Sequence, residues 1–334
     1  MNNNMNFKRV FTDCRLETYF HLLECLGVTP DRNEYFLVAS PMKSSVKILK
    51  LFSNGKQVEC PIVQCIDHEF KYRILDHYSI SEGRKSFDNL SDEVEYLKEN
   101  AGKIPMVVDV VGNYLNPALT EKQKAAPIGS VSTVQIVGAD TERNKFNIGM
   151  IDISTNRMIE LSIDDYIQAR RKFYLPFQLD MNVYTYLRNG SGTKSNSDLN
   201  ELLSDQLERL RSENTLEELI ECIKVCIYKS KSEKALLSMQ KDFLHSSLIL
   251  GNTSFFFYEL ASAARSCACM DEFSCDSLMR IGGVYKKIIH TFGREKEQDG
   301  IESVIKLSER FEMLSELRKK ALDTIRIFSP QLSV

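Results

Sequence analysis

The sequence predicts an α+β protein in two parts, a mixed first domain and a helical second one. Three observations carry this. An amphipathic run with helical spacing opens at Cys14, and short β-branched runs with strand-like spacing recur up to about residue 188. Beyond a polar stretch, Asn189-Gly190-Ser191-Gly192-Thr193-Lys194-Ser195-Asn196-Ser197, the pattern is helical throughout. The expected organisation is a first domain at 1–188, a Gly/Ser-rich linker at 189–197 and a helical domain at 198–334. A chain of 334 residues, 43% hydrophobic and 27% charged, is long enough for two cores of roughly 150 residues each.

Cys14 stands at the head of the first helix, which runs to Gly27. A thiol at a helix N-terminus sits at the positive end of the macrodipole, which favours the thiolate and lowers its pKa. Residues 46–52 and 58–66 read as strands, 67–79 as a loop, and 91–100 as a short helix capped by Ser91. Pro105 to Val111, apolar except at Asp109, reads as a buried strand. Residues 131–138 and 145–152 form a hairpin across the polar turn 140–144. Ser162-Ile163-Asp164-Asp165 starts a further helix.

In the second part, helices are expected at 198–210, 215–229, 231–249, 255–267, 275–292 and 301–328. Thr215 and Glu218 have capping-box spacing, and Leu216, Leu219, Ile220, Ile223 and Cys226 make an apolar stripe that belongs to a core. Val304, Leu307, Phe311, Leu314, Leu317 and Ala321 make another, which packs either within the chain or across a homodimer.

A net charge of −3 with no long basic stretch argues against a nucleic-acid partner. No apolar run approaches the roughly 18 to 20 residues that span a bilayer, and the polar start lacks a signal-peptide pattern, so a cytoplasmic protein is expected. Nine cysteines there are expected to be reduced thiols. Cys222 with Cys226, and Cys267, Cys269 and Cys275, lack paired zinc-ligand spacing, so they read as structural thiols and no metal is expected.

With Asp13-Cys14-Arg15-Leu16-Glu17-Thr18 and its helix, then Pro105-Met106-Val107-Val108-Asp109, then Val134-Gln135-Ile136-Val137-Gly138-Ala139-Asp140, the first domain resembles the N-terminal domain of butirosin biosynthesis protein H. That family has a papain-like cysteine fold, and the helical half resembles the domain that commonly follows it. The resemblance implies transfer of an acyl or aminoacyl group from the phosphopantetheine thioester of an acyl or peptidyl carrier protein. The acceptor is a small-molecule amine or peptide, or water in a thioester hydrolase, and the setting is antibiotic or nonribosomal peptide biosynthesis. No further cofactor is implied, because the thiolate itself accepts the acyl group.

Such a site needs a nucleophile, then a His base, then an orienting acid. Cys14 matches the first and Asp152, at the end of the hairpin, the third. The family's His lies about six residues before the Gly of its Val-Gly-x-Asp strand, and here that count from Gly138 arrives at Ser132. A serine hydroxyl does not exchange a proton near neutral pH, so Ser132 cannot act as the base. A slip of one residue would put Val131 or Thr133 there instead. His21 is two helical turns, about 10 Å, from Cys14. His68 and His77 lie in the expected loop, and His245 and His290 in the helical half. Asn6 or Lys8 would have to serve an oxyanion. Asp109, Tyr114 and Leu115, where a strand runs into a loop, are candidates to line an acyl cleft.

Three readings follow. One is a cysteine acyltransferase or thioester hydrolase built on Cys14. Another is a catalytically impaired relative that binds a carrier protein, peptide or biosynthetic partner. The last is a helical scaffold or dimerisation protein.

Overall fold

The computed structural model describes residues 10–11, 13–39, 45–53, 56–64, 69–116, 119–120, 124, 131–152, 157–171, 179–190, 199–230, 233–250, 253–266, 268–298 and 300–327. It is a mixed α and β protein, with a sheet in the N-terminal part and helices through the C-terminal part. In chain order the elements are α1 (Cys14–Cys25), α2 (Arg32–Ala39), β1 (Ser45–Ser53), β2 (Lys56–Gln64), α3 (Phe70–His77), β3 (Ile80–Lys85), α4 (Leu90–Asn100), β4 (Met106–Val111), β5 (Val131–Asp140), β6 (Lys145–Asp152), β7 (Arg157–Ser162), α5 (Ile163–Arg171), β8 (Val183–Arg188), α6 (Leu199–Ser212), α7 (Thr215–Cys226), α8 (Lys234–Leu250), α9 (Thr253–Ser266), α10 (Glu272–Glu295) and α11 (Glu302–Thr324). The chain forms two compact units, residues 1–35 with 71–195 and residues 36–70 with 196–334.

The first unit is built on an antiparallel sheet in the order β3-β8-β4-β5-β6-β7. β4 is internal to the sheet and every residue but Asp109 is buried, which explains an apolar run broken only at that position. Val108, Val110, Val134, Ile136, Phe146 and Ile148 form the core with Val94 and Leu97 of α4 and Tyr166 and Ala169 of α5. α1 packs against β5 and β6. Its end is a Schellman motif: the Val28 N–H reaches the Leu23 carbonyl at 2.9 Å and the Gly27 N–H reaches Glu24 at 3.0 Å. Gly27 has φ +73, the left-handed conformation this motif requires.

Several boundaries differ from expectation. α4 is capped by Asn89, whose side chain accepts the Asp92 N–H, rather than by Ser91. Thr215 lies inside α7 after the N-cap Asn214, and its hydroxyl donates to Glu213 at 2.8 Å, so no capping box forms. Ser162 does cap α5, accepting the Asp165 N–H at 3.0 Å. The expected loop 67–79 holds α3.

The second unit takes in the β1–β2 hairpin, which the sequence grouped with the first domain. The reason is apolar burial: Val58, Cys60, Ile62 and Val63 are buried, and β2 packs on α7 and α8. Gln240 donates to the Glu59 carbonyl at 2.6 Å, and the Val63 N–H reaches Ser247 Oγ at 3.3 Å. The other break, after residue 195, falls within the expected linker. Val304, Leu307, Phe311 and Leu314 are buried within this unit, so those positions of the α11 stripe are already covered by the chain itself.

Candidate functional site

Asp13 opens α1. Its backbone is extended (φ −77, ψ 122), and its carboxylate accepts the N–H groups of Arg15 at 2.9 Å and Leu16 at 3.2 Å. Burial opposes this charge, but the Arg15 guanidinium, 3.0 Å away, and the two N–H groups hold the carboxyl below its ordinary value. Cys14 is therefore the first helical residue, with an anion immediately before it.

The Ser132 hydroxyl and the backbone of Thr133 lie beside the Cys14 thiol and act on it as donors would. Of the side chains at 131–133 on β5, that of Ser132 is the one that acts on the Cys14 thiol. One helical turn on from Cys14, Thr18 Oγ1 donates to the Thr133 carbonyl at 2.8 Å and pins the same face of α1 to the same strand.

The thiol itself departs from expectation. Burial pushes it up, the Asp13 carboxylate adds to this, and Arg15, Ser132 and Thr133 pull the other way without prevailing, leaving a value of about 11. The helix N-terminus contributes only a fraction of a charge, whereas the N-cap carboxylate is a full charge of opposite effect on a desolvated sulfur. At neutral pH only about one thiol in 10⁴ is a thiolate, so Cys14 rests protonated.

Asp109 faces Thr133 directly in the β4–β5 register, and Thr133 Oγ1 donates to its Oδ1 at 2.8 Å. Burial and the nearby Asp180 raise the Asp109 pKa, against the pull of Thr133 and Arg170. Tyr114 and Leu115 are buried in the apolar core between the sheet and α4 and α5, so they pack rather than line a cleft. Asp152 ends β6 opposite Arg157. The β5–β6 pairing runs from Asp140↔Lys145 to Ile136↔Ile148, with a register shift between Gly138 and Ile136. The Asp152 side chain lies outside the described residues, as do Asn6, Lys8, His68 and Cys267.

Two of the described histidines, His77 and His21, are engaged elsewhere. His77 Nε2 is 2.8 Å from Glu34 Oε1. His21, 1% exposed, bridges Glu17 at 3.0 Å and Glu24 at 2.6 Å. Glu17 in turn accepts the backbone N–H groups of Val10 and Phe11, the latter at 2.6 Å, which docks the segment leading into Cys14. Burial works against the imidazolium, but the hydrogen bonds to Glu17 and Glu24 win and carry His21 to about 9. A folded value above the unfolded value of about 6.5 means that its contribution is complete below pH 6.5 and is lost as pH rises through 9. With Glu24 partly exposed, the loss is on the order of 2 kcal/mol. Urea titrations at pH 6 and pH 9.5 should show that decline in the wild type and a much flatter response in His21→Gln.

The sequence missed a buried network that braces the site. Glu93 and Arg170 form a bidentate pair at 2.8 and 2.9 Å, and Tyr166 also donates to Glu93. Arg170 Nη1 donates to the carbonyls of Asp109 at 2.8 Å and Asp180 at 2.7 Å. Alongside, Tyr19 meets Tyr186 at 3.3 Å, Tyr186 donates to Glu82 at 2.8 Å, and Lys71 pairs with Glu82 at 2.8 Å. A readable hint was Val183-Tyr184-Thr185-Tyr186, a β-branched and aromatic run that marks the strand β8.

The site is a half-buried thiol at a helix start, set beside an antiparallel strand whose Ser132 hydroxyl and Thr133 backbone face it. No protein-family model matches the chain, and no curated protein matches it. Among the described residues no helix is long and apolar enough to cross a membrane.

Proposed function

We propose that this chain is a papain-like protein of the butirosin biosynthesis protein H type that binds a carrier-protein thioester or a biosynthetic partner at the Cys14 site without rapid turnover. The observation that carries this reading is the Ser132 hydroxyl on the Cys14 thiol, where an active relative would need an imidazole. A thiol raised to about 11 by desolvation and Asp13, with no imidazole beside it among the described residues, stays almost entirely in its unreactive protonated form. Such a protein works in the cytoplasm, on carriers of peptide or polyketide assembly.

A second reading, slow acyl transfer or thioester hydrolysis through Cys14, is favoured by one feature. The thiol sits at a helix start with a backbone donor beside it, as a nucleophile that receives an acyl group would. One experiment separates the two. The full chain is mixed with carrier proteins loaded with acyl or aminoacyl thioesters, and both binding and intact mass are followed. Saturable binding retained by Cys14→Ala, with no covalent adduct, is the expected result. An acyl-mass adduct that vanishes in Cys14→Ala establishes the second reading, and neither binding nor adduct with any carrier sinks both.

A further inference from the structure

Ser132 is on β5, and a carboxyl of the neighbouring strand β4, Asp109, is hydrogen-bonded to the next residue of β5. Thr133 is the hub. Its carbonyl takes the hydroxyl of Thr18, one turn on from Cys14, at 2.8 Å, its own hydroxyl donates to Asp109 Oδ1 at 2.8 Å, and its backbone lies beside the Cys14 thiol. Asp109 is itself fixed from behind, because the guanidinium of Arg170, locked by Glu93, holds its carbonyl at 2.8 Å.

We propose that Asp109 is a positioning residue of the Cys14 site, acting through Thr133 to hold the β5 backbone against the start of α1. The proposal rests on Cys14 being the reactive centre assumed above, but not on any carrier protein. Three links make the argument. A β-branched Thr has few rotamers, and the bond to Asp109 selects one of them. With Thr133 fixed, its backbone keeps its contact with Cys14 instead of turning toward water. A hydrogen bond to the thiolate favours the charged form, so losing it should make the thiol harder to ionise and slower to react. Asp109 also lies off the Cys-His-Asp order of a papain-like triad, since it precedes the base strand rather than following it.

The test is the alkylation rate of Cys14 by iodoacetamide at pH 8, read by peptide mapping with Cys222 of the other unit as reference. Asp109→Ala and Thr133→Val should each slow Cys14 by about tenfold, the scale of one weakened charge-assisted hydrogen bond. Asp109→Asn, which still accepts from Thr133, should stay within about twofold of wild type. A purely structural role predicts the opposite sign, because loosening the fold exposes thiols, so Cys14 would react faster in both variants. That result, or an unchanged rate in both, overturns the proposal. Should Asp109→Ala fail to fold, Thr133→Val alone decides. Failure of carrier binding leaves this readout untouched, so the two ideas fall separately.

Discussion

Ser132→His should make Cys14 react with iodoacetamide at pH 7 about a hundredfold faster than in the wild type. The wild-type thiol stands at about 11, so roughly one molecule in 10⁴ is ionised at that pH. An imidazolium in hydrogen-bond contact brings cysteine pKa values to about 7 or below, which raises the thiolate fraction by more than three powers of ten. Intrinsic nucleophilicity falls as the pKa falls, with a Brønsted slope of about 0.4–0.5, and gives back nearly two of them. The net gain is near two. The new rate should also level off above about pH 7, where the wild-type rate keeps rising tenfold per unit toward its pKa of about 11. Ser132 is 8% exposed, so the larger ring strains its surroundings by about 1–3 kcal/mol, and circular dichroism must accompany the kinetics. A folded Ser132→His with wild-type reactivity would mean that position 132 is not the place of the missing base.

The ease with which the Cys14–Ser132 contact was legible contrasts with what was not. The hairpin of β5 and β6 is local, its turn is polar, and counting back from Gly138 needed no three-dimensional knowledge. The thiol's ionisation was misjudged because two effects of similar locality compete. The helix start was visible, and so was Asp13, but the withdrawal of Cys14 from water under β5 comes from residues more than a hundred positions away. Tyr114 and Leu115 were placed by strand-end logic, whereas the short 3₁₀ turn at Gly112–Leu115 folds them into the core. β3, Ile80-Ser81-Glu82-Gly83-Arg84-Lys85, is an edge strand of mostly polar residues and has no apolar alternation to find. The pairing of Asp109 with Thr133 depends on register between strands separated by a long connection, and the Glu93–Arg170 pair on three elements meeting. Neither leaves a local signature.

Removing one partner of that pair should be the most destabilising single change in the first unit. Arg170 has a fully buried side chain and Glu93 one that is 2% exposed, so each charge is solvated only by the other and by its hydrogen bonds. Glu93→Leu strands the guanidinium, and Arg170→Met strands the carboxylate while leaving the Asp109 and Asp180 carbonyls without their donor. Each should cost about 3–5 kcal/mol, which for a unit of this size lowers the melting temperature by about 10 °C. The double variant should lose less than the sum of the two, because a pair of apolar side chains leaves no uncompensated charge. It should not return fully to wild type, since Tyr166 and the two carbonyls still lack partners. Denaturant titrations of the four proteins give the coupling energy directly. Single variants that each cost under about 1 kcal/mol would show that water already reaches this pair, and that the brace behind Asp109 is looser than its geometry implies.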